Sequence, residues 1–469
     1  MASQGFQEDE ALAQHTSQQH DIEELRKTPH LEVYARSSML IGDDHLVKAI
    51  WFEGKQTKAA QERYSKIMAA LESGFLNDKI EVAKSARVAP ILETNLAEPH
   101  KHALEKVIAS ITAQRGRALV EILVLQLAVK AIAPEQDIRL HKSSRGGDGN
   151  GQRSKFSWVE GISMRRLDDT YIVPTLREKG LLRMNEYGAF MTRTFAENYP
   201  YTLFYKAEIS GAKRSWLEII DDLEEGHLHA EAALLYVLDL LWKSSEQFKR
   251  IVKEILEKID EWIASNIQNV MNMVTHLIKL HINRSESRAR LLEVAMHALL
   301  QALEDLNVDL GGYLKPLMPM RTANLKHRNF GDVEIVAGDF VIESWDAKYD
   351  NPYLSDALDV FVEKLRGKDT SELTFGYVLL PEKKEYQDMD RKIQSIVEEY
   401  GVEIQVVSFD NWVQNQAMRA IEETISEESL AIAWLHAYAE SLALRREDRA
   451  PIDEPTYNWL QSLKDILVK

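Results

Sequence analysis

Acidic and basic side chains end an otherwise apolar, β-branched stretch of the sequence, FGDVEIVAGDFVIESWDAKYDNPY (330–353). Asp346 and Lys348 are two residues apart, and a further carboxylate, Asp332, lies just upstream. Because side chains alternate across a strand, Asp346 and Lys348 would share one face. A hard divalent cation such as Mg²⁺ is usually held by one or two carboxylates, waters and a phosphate oxygen. The pattern therefore indicates a site for metal-assisted hydrolysis.

The elements that must position these residues form a predicted hairpin. Two strand-like runs, DVEIV and FVIESWDAKY, flank AGD, which predicts a three-residue loop with glycine in its middle. In that register Val336 pairs with Phe340. Asp332 then lies opposite Ser344 and diagonal to Asp346, on the same face of the sheet. The hairpin would thus bring two carboxylates and an ammonium group together.

The segments that follow the hairpin alternate between helix and strand. They are a helix capped by Ser355, a buried strand at TFGYVLLP, a helix that ends at Gly401 and a buried strand at VEIQVVSF. With a helix before the hairpin, these elements predict a compact domain over about residues 285–425. The expected fold class is therefore α+β or α/β, with a mixed sheet flanked by helices.

The site resembles the active site of the PD-(D/E)XK nuclease superfamily, which includes most type II restriction endonucleases. The resemblance lies in Asp332, thirteen intervening residues and then Asp346-Ala347-Lys348, and it covers roughly residues 285–415. It implies Mg²⁺-dependent hydrolysis of DNA phosphodiesters. Asp332 and Asp346 would bind the metal, together with the Ala347 carbonyl. Lys348 would orient or deprotonate the attacking water.

The sequence departs from the superfamily pattern in some respects. Gly331 stands where the superfamily name has proline, a position that varies, and the acid at 346 is Asp rather than Glu. No clear strand precedes DVEIV, so the core is either incomplete or has an extra strand within GGYLKPLMPMRTANL. The superfamily often adds a glutamate from the helix before the sheet, and Glu293 is the candidate. The alternative role of Glu293 is an ion pair with Arg288 or Arg290.

Acid-x-Lys tripeptides are common, and this chain contains others. The main rival to the hairpin is Glu53-Gly-Lys55, which has Asp43 and Asp44 upstream and a strand-like run between. A helix that begins at Gly54 would leave Lys55 on its first turn, away from any sheet face. The simplest alternative to catalysis at the hairpin is a structural hairpin with a surface ion pair.

The rest of the chain is mainly helical in pattern. Residues 1–135 have a polar, Gln-rich start followed by helices, 226–284 predict a helical bundle, and 426–469 predict a C-terminal helical appendage. Residues 136–225 combine a Gly-rich loop with short aromatic-rich segments, which indicates a mixed α/β or irregular region. Large, mainly helical N-terminal regions therefore precede the predicted nuclease-like core.

Residues 139–166 are a basic segment within an acidic chain. The formal net charge is −17, which argues against non-specific coating of nucleic acid. The segment, which begins at Arg139, carries seven Lys or Arg against two acids. It either follows DNA phosphates or is an ordinary solvated loop. The predicted DNA-binding residues are Lys142, Arg145, Arg153, Lys155, Arg165 and Arg166.

Composition and motifs argue against several other functions. The chain has 469 residues and no cysteine, which rules out disulfides, thiolate zinc sites and cysteine catalysis. We find no Walker loop, dinucleotide fingerprint or nucleophile elbow, and the pairs His100/His102 and His227/His229 lack a third zinc ligand. No apolar run is long enough for a membrane span, and we expect no secretory signal and a cytoplasmic location.

Two classes of function remain open. The first is a sequence-specific endonuclease that acts on double-stranded DNA as a homodimer, because one site per chain cuts one strand. The second is a non-catalytic DNA-binding or scaffold subunit of a DNA-processing or phage-defence complex. Incubation of the protein with DNA and Mg²⁺ would distinguish the two classes.

Overall fold

The computed structural model divides the chain into two compact units, Met1–Ser245 and Glu246–Lys469. No helix in the part of the chain that the structure describes is both long and apolar enough to cross a membrane. The described residues are 30–34, 37–42, 46–85, 87–110, 117–142, 158–182, 188–191, 193–196, 199–209, 211–265, 269–317, 329–350, 354–366, 370, 373–381, 389–444 and 454–468.

The first unit contains a three-stranded antiparallel sheet in the order β1 (His30–Val33), β2 (Ser37–Ile41), β3 (Val47–Phe52). The expected succession of helices after a polar start omitted β1 and β2, because strands of four or five residues show too few alternations to be distinguished. The strand-like run before Glu53 is β3. The helices that follow are α1 (Lys58–Glu72), α2 (Phe75–Ala83), α3 (Val88–Asn95), α4 (Glu98–Ala109) and α5 (Arg117–Ile132).

The described part of 136–225 consists of short helices and turns, with one isolated bridge between Trp158 and Glu53. The aromatic run YTLFYKAEI forms no strand. Its Tyr201 and Tyr205 are buried and pack against Trp216, so the aromatic residues form a core cluster. The helices are α6 (Met164–Leu167), α7 (Val173–Glu178), α8 (Arg193–Ala196) and α9 (Lys213–Glu224), with a π-helical turn at Asp168–Ile172 and a 3-10 turn at Ala189–Met191.

The second unit is built on a five-stranded mixed sheet in the order β4-β5-β6-β7-β8. β4, β5 and β6 are antiparallel neighbours, and β6, β7 and β8 are parallel neighbours. The parallel pairs need crossover helices, which α13 (Leu354–Leu365) and α14 (Met389–Tyr400) provide. The strands are β4 (Tyr313–Leu314), β5 (Val333–Ala337), β6 (Phe340–Tyr349), β7 (Thr374–Leu380) and β8 (Glu403–Ser408). The helices are α10 (Ala230–Ser265, which begins in the first unit), α11 (Val270–Arg284), α12 (Arg288–Asp305), α13 (Leu354–Leu365), α14 (Met389–Tyr400), α15 (Phe409–Glu422), α16 (Glu427–Leu444) and α17 (Thr456–Leu467).

The predicted strands and helices of the nuclease-like region are present, and the α+β class is confirmed. The additional strand lies in GGYL, as β4, which pairs with β5. Gly312 permits this pairing, because a β-carbon there would lie 2.5 Å from the Val336 carbonyl oxygen. Ser355 is inside α13 rather than its cap. Gly401 ends α14 with a φ of 71°, as a C-terminal glycine should.

The predicted register of the hairpin is wrong by one residue at the turn and by two residues beyond Ile342. The turn contains only Gly338 and Asp339, since Ala337 pairs with Phe340, and the register shifts by one further residue between Val336 and Ile335. A bulge at Ile342 accounts for this shift, because Val336 pairs with Val341 whereas Ile335 pairs with Glu343. A displacement of two residues preserves the face on which each side chain lies, so the predicted convergence survives the error.

Each face of the sheet covers its own hydrophobic core. On one face, Trp345 and Val378 pack with α12, α15 and the C-terminal helices. On the other, Phe375 and Tyr377 pack with α13 and α14. The C-terminal helices are therefore part of the core rather than an appendage: Trp434 Nε1 donates a hydrogen bond of 2.9 Å to the Ala295 carbonyl of α12.

Candidate functional site

Asp332 is held at the start of β5 by contacts with β6. Its N–H donates to the Trp345 carbonyl at 2.9 Å, and its Oδ2 accepts from the Ala347 N–H at 2.9 Å. Gly331 allows this close approach, because a β-carbon there would lie 2.6 Å from the Trp345 carbonyl oxygen and 2.8 Å from Ser344 Oγ. The glycine that replaces the proline of the superfamily name is thus required by local packing.

Asp346 and Lys348 lie on the same face of β6 and form an ion pair, with Lys348 Nζ 2.6 Å from Asp346 Oδ1. Only 16% of each side chain is exposed, so the pair is better shielded from water than a surface ion pair. Lys348 Nζ is also 5.4 Å from the centre of the Tyr377 ring, which pairs with Asp346 across β6 and β7. The sheet therefore positions the lysine between a carboxylate and an aromatic ring.

Glu293 reaches the site from α12 and also has a structural partner. It forms an ion pair with Arg290, and Arg290 Nε donates to Glu454 at 2.8 Å. Glu293 is close enough to Asp332 for its charge to raise the pKa of that carboxyl. Both sequence-based roles for Glu293, a site carboxylate and an ion-pair partner of Arg290, are therefore compatible with its position. Among the described residues, Arg288 forms no ion pair with Glu293, so the other partner suggested by the sequence is not the one found.

The electrostatics of the site are dominated by closely placed carboxyl groups. Burial raises the pKa of Asp332 well above its usual value, and the charges of Asp346 and then Glu293 raise it further, while Lys348 opposes them. A divalent cation would relieve this repulsion. The donor set of Asp332, Asp346 and the Ala347 carbonyl has the hard oxygen ligands that Mg²⁺ takes.

The fit to a metal rests on two side chains and the main chain. Among the described residues, no group of three or more His, Asp or Glu side chains is arranged to hold a metal ion. Mg²⁺ needs only one or two protein carboxylates, because waters and substrate phosphates complete its shell. The arrangement is therefore suited to a metal that binds together with a phosphate rather than to a permanent, all-protein site.

Glu334 is a site residue that the sequence reasoning missed. It is buried, and its carboxylate accepts hydrogen bonds from the Phe330 N–H at 2.6 Å and from Lys315 Nζ at 2.6 Å. These contacts shape the turn that leads to Asp332. The sequence does contain a signal for Glu334, because a carboxylate interrupts the otherwise apolar strand VEIVA. Glu334 is two residues from Asp332, so the two side chains lie on the same face of the sheet.

The rival tripeptide lies in the first unit and does not have the predicted helix. Glu53 bridges to Trp158, whereas α1 begins only at Lys58. The helix begins late because the Thr57 side chain caps it, accepting from the Ala60 N–H at 3.1 Å. Lys55 therefore precedes the helix, and the expectation that it lies on the first turn is wrong. Asp43 and Asp44 lie outside the described residues.

The predicted DNA-binding residues are only partly described, since Arg145, Arg153 and Lys155 lie outside the described ranges. Arg165 and Arg166 are exposed on α6, and Arg165 pairs with Asp169 at 3.3 Å. Burial lowers the pKa of Lys142. Arg139, which was counted in the basic segment, is mostly buried and pairs with Asp137 at 3.0 Å. The local positive charge available to solvent is accordingly smaller than the sequence indicated.

A second pair of carboxyl groups, unnoticed in the sequence, is buried in the first unit. Glu121 of α5 and Asp168 of the π-helical turn are both fully buried. They converge on Gly188, where a β-carbon would lie 2.7 Å from Glu121 Oε1 and 2.6 Å from Asp168 Oδ2. Glu121 Oε1 accepts from the Ala189 N–H at 2.7 Å. Burial raises the pKa of Asp168 to about 6 and that of Glu121 well above its usual value.

Comparison of the sequence with protein-family models gives no match, and comparison with curated proteins gives none either. The function is therefore inferred from the residues and the geometry of the site.

Proposed function

We propose that this protein is a Mg²⁺-dependent endonuclease that hydrolyses phosphodiester bonds of double-stranded DNA. One observation carries the proposal: Asp332, Asp346 and Lys348 converge at the hairpin of a mixed sheet. Asp332 is hydrogen-bonded to the main chain of β6, and Lys348 is 2.6 Å from Asp346. The order of antiparallel and parallel strands, with β4 at the edge, also supports the resemblance to PD-(D/E)XK nucleases.

Each side chain has a role in the proposed reaction. Asp332 and Asp346, with the Ala347 carbonyl, would hold Mg²⁺, which would polarise the phosphate and neutralise its developing charge. Lys348 would exchange its bond with Asp346 for one with the attacking water and orient that water toward phosphorus. As the water oxygen bonds to phosphorus, it would release a proton to solvent, and the bond from phosphorus to the leaving oxygen would break, with that oxygen taking up a proton from solvent.

Glu334 and Gly331 act on the site through its geometry. Glu334 fixes the Phe330 N–H and Lys315, and Gly331 allows Asp332 to approach β6. These are positioning residues rather than catalytic ones. A protein with one such site per chain would cut both strands as a symmetric homodimer, and the molar mass in solution tests that part of the proposal.

The direct test is incubation of the purified protein with phage DNA in Mg²⁺ and in EDTA. Discrete fragments that appear only with Mg²⁺ support a sequence-specific endonuclease. The Asp346→Asn variant should give no fragments. Asp359→Asn is a matched control, because Asp359 forms an exposed ion pair of 2.7 Å with Lys392 away from the site, and it should cleave like the parent. DNA binding without cleavage by the parent would instead support a scaffold subunit.

A further inference from the structure

A surface depression of about 710 Å³ lies beside the proposed nuclease site. It is formed by the end of α11, the segment that joins it to α12, the first turns of α12, and Tyr349. Tyr349 follows Lys348 in β6, and Glu293 of the site also lines the depression. Its volume falls in the range of about 300–1,000 Å³ that is usual for ligand sites.

The depression has arginines at its surface whose charge is not paired. Arg284 and Arg288 are exposed, and neither forms an ion pair with any described residue. Arg290, by contrast, is buried and is neutralised by Glu293 and Glu454. Glu286 is the remaining acid of the lining, and its Oε1 accepts from Asn458 Nδ2 at 2.8 Å. The residues that line the depression are three arginines against two glutamates, a formal charge of +1, and the two exposed guanidinium groups carry the positive charge that a ligand can reach.

Arg288 is held in place before any ligand binds. Its Nη1 donates to the Tyr349 hydroxyl at 3.2 Å, its Nε donates to the Ser285 carbonyl at 3.3 Å, and its guanidinium lies 5.7 Å from the centre of the Tyr349 ring. The Tyr349 hydroxyl in turn donates to Asn283 Oδ1 at 3.0 Å. These contacts use two of the five N–H donors of the guanidinium. The other donors have the planar geometry that binds phosphate bidentately.

We propose that this depression binds a backbone phosphate of duplex DNA next to the phosphate that is hydrolysed, through Arg288 and Arg284. The inference rests on the proposed function, since it places the bound phosphate beside a site that is proposed to hydrolyse DNA. Arg288 supplies bidentate hydrogen bonds, and the more loosely held Arg284 adds charge. Glu293 connects the two sites, because it lines the depression on α12, which packs against β6. The Tyr349 side chain lies on the α12 face of β6, opposite to Asp346 and Lys348.

Binding and cleavage are measured separately to test this inference. A short fluorescent duplex is titrated with the protein by anisotropy in Ca²⁺, over a series of salt concentrations. Arg288→Ala should weaken binding about tenfold and reduce the slope of log K against log salt by about 0.9. Arg288→Lys should keep the slope and lose part of the affinity, because it retains the charge without the planar fork. Arg391→Ala, an exposed arginine of α14, should match the parent.

The outcomes distinguish this inference from the proposed nuclease activity. If the parent cleaves DNA in Mg²⁺ but Arg288→Ala binds with unchanged affinity and slope, the depression is not a phosphate site and the nuclease proposal stands. If the parent binds through Arg288 but never cleaves, the phosphate is not next to a hydrolysed one, and both proposals fail in their stated form. Competition by inorganic phosphate as strong as that by duplex DNA would also contradict a site for backbone phosphate.

Discussion

The two units each bury a pair of carboxyl groups, but with different surroundings. In the first unit, Glu121 and Asp168 are enclosed, and no described residue forms an ion pair with either. In the second unit, Asp346 pairs with Lys348, and Asp332 accepts from the main chain beside a depression lined by arginines. Closely placed carboxyl groups are therefore not sufficient for a site. In the proposed nuclease, a cationic partner and access for a ligand distinguish the second pair from the first.

The two pairs of carboxyl groups also differ in whether a nearby positive charge offsets the repulsion between them. Without a cation, the first pair must keep at least one proton, because the ionised forms repel each other in a dry environment. The second pair has Lys348 beside it, and the proposed Mg²⁺ would place a further positive charge next to its carboxyl groups. The same residue type is therefore expected to control stability in one unit and catalysis in the other.

The largest expected effect comes from removing the Lys348 ammonium group, which is paired with Asp346 in the second unit. Lys348→Ala should lower the rate of DNA cleavage by about 10²- to 10⁴-fold, because no group remains to orient the attacking water. The measurement is single-turnover cleavage in Mg²⁺, with thermal unfolding to show that the fold is retained. Lys55→Ala, at the rival tripeptide, and Lys392→Ala, in a matched exposed ion pair, should stay within a few-fold of the parent. If Lys55→Ala lowered the cleavage rate as much as Lys348→Ala does, the catalytic site would be assigned to the first unit instead.

The next effect concerns the enclosed pair and depends on pH. Because burial raises both pKa values, the folded state holds protons that the unfolded state releases. The stabilising contribution is complete below about pH 4. It is lost for Asp168 as the pH rises through about 6, and for Glu121 as the pH rises through its own raised pKa. Glu121→Gln removes one charge and still accepts from the Ala189 N–H.

We therefore expect Glu121→Gln to raise the free energy of unfolding at pH 8 by on the order of 1–3 kcal/mol. The difference from the parent should disappear near pH 4. Denaturant unfolding at both pH values measures it, and Glu72→Gln, at an exposed position of α1, should change neither. A variant that is less stable than the parent at pH 8 would mean that the pair holds a cation rather than a proton.

A smaller effect is expected from Glu293→Gln, which tests whether Glu293 acts on the carboxyl group of Asp332. Glu293→Gln can still accept from Arg290, so the fold should be unchanged, but it removes a negative charge near Asp332. We expect cleavage to need a higher Mg²⁺ concentration and the maximal rate to fall about tenfold, which corresponds to about 1.4 kcal/mol. Glu399→Gln on α14 is the control. Parent-like activity together with a loss of stability would leave Glu293 with its structural role alone.

The smallest expected effect concerns DNA binding by Arg165 and Arg166 of the first unit. The double variant Arg165→Ala, Arg166→Ala should reduce the salt slope by up to about 1.8, with only a few-fold loss of affinity. The loss is limited because Arg165 already pairs with Asp169. Arg214→Ala breaks a similar pair with Glu218 and serves as the control. An unchanged slope would make 139–166 an ordinary solvated segment.

Several features of the candidate site follow from the sequence alone, because they depend on local periodicity. The alternation of side chains along FVIESWDAKY places Asp346 and Lys348 on one face whatever the neighbouring strand does. The succession of β-branched runs and helical patterns from 333 to 408 similarly specified the strands and helices. From Ile335 to Asp332 the error in register is two residues, so no side chain there is moved to the other face, and the convergence was predicted correctly from an incorrect pairing.

Only the tertiary structure decided the features that depend on distant parts of the chain. β4 has two residues and no readable pattern, and it is a strand because Gly312 lets it approach β5. Glu293 reaches Asp332, and Arg288 reaches Tyr349, because α12 packs against β6. Glu121 and Asp168 meet across a helix and a π-helical turn. Local sequence determines on which face of a strand or helix a side chain lies. Long-range packing determines which of these faces meet, and the free energy of that packing is spread over the whole core.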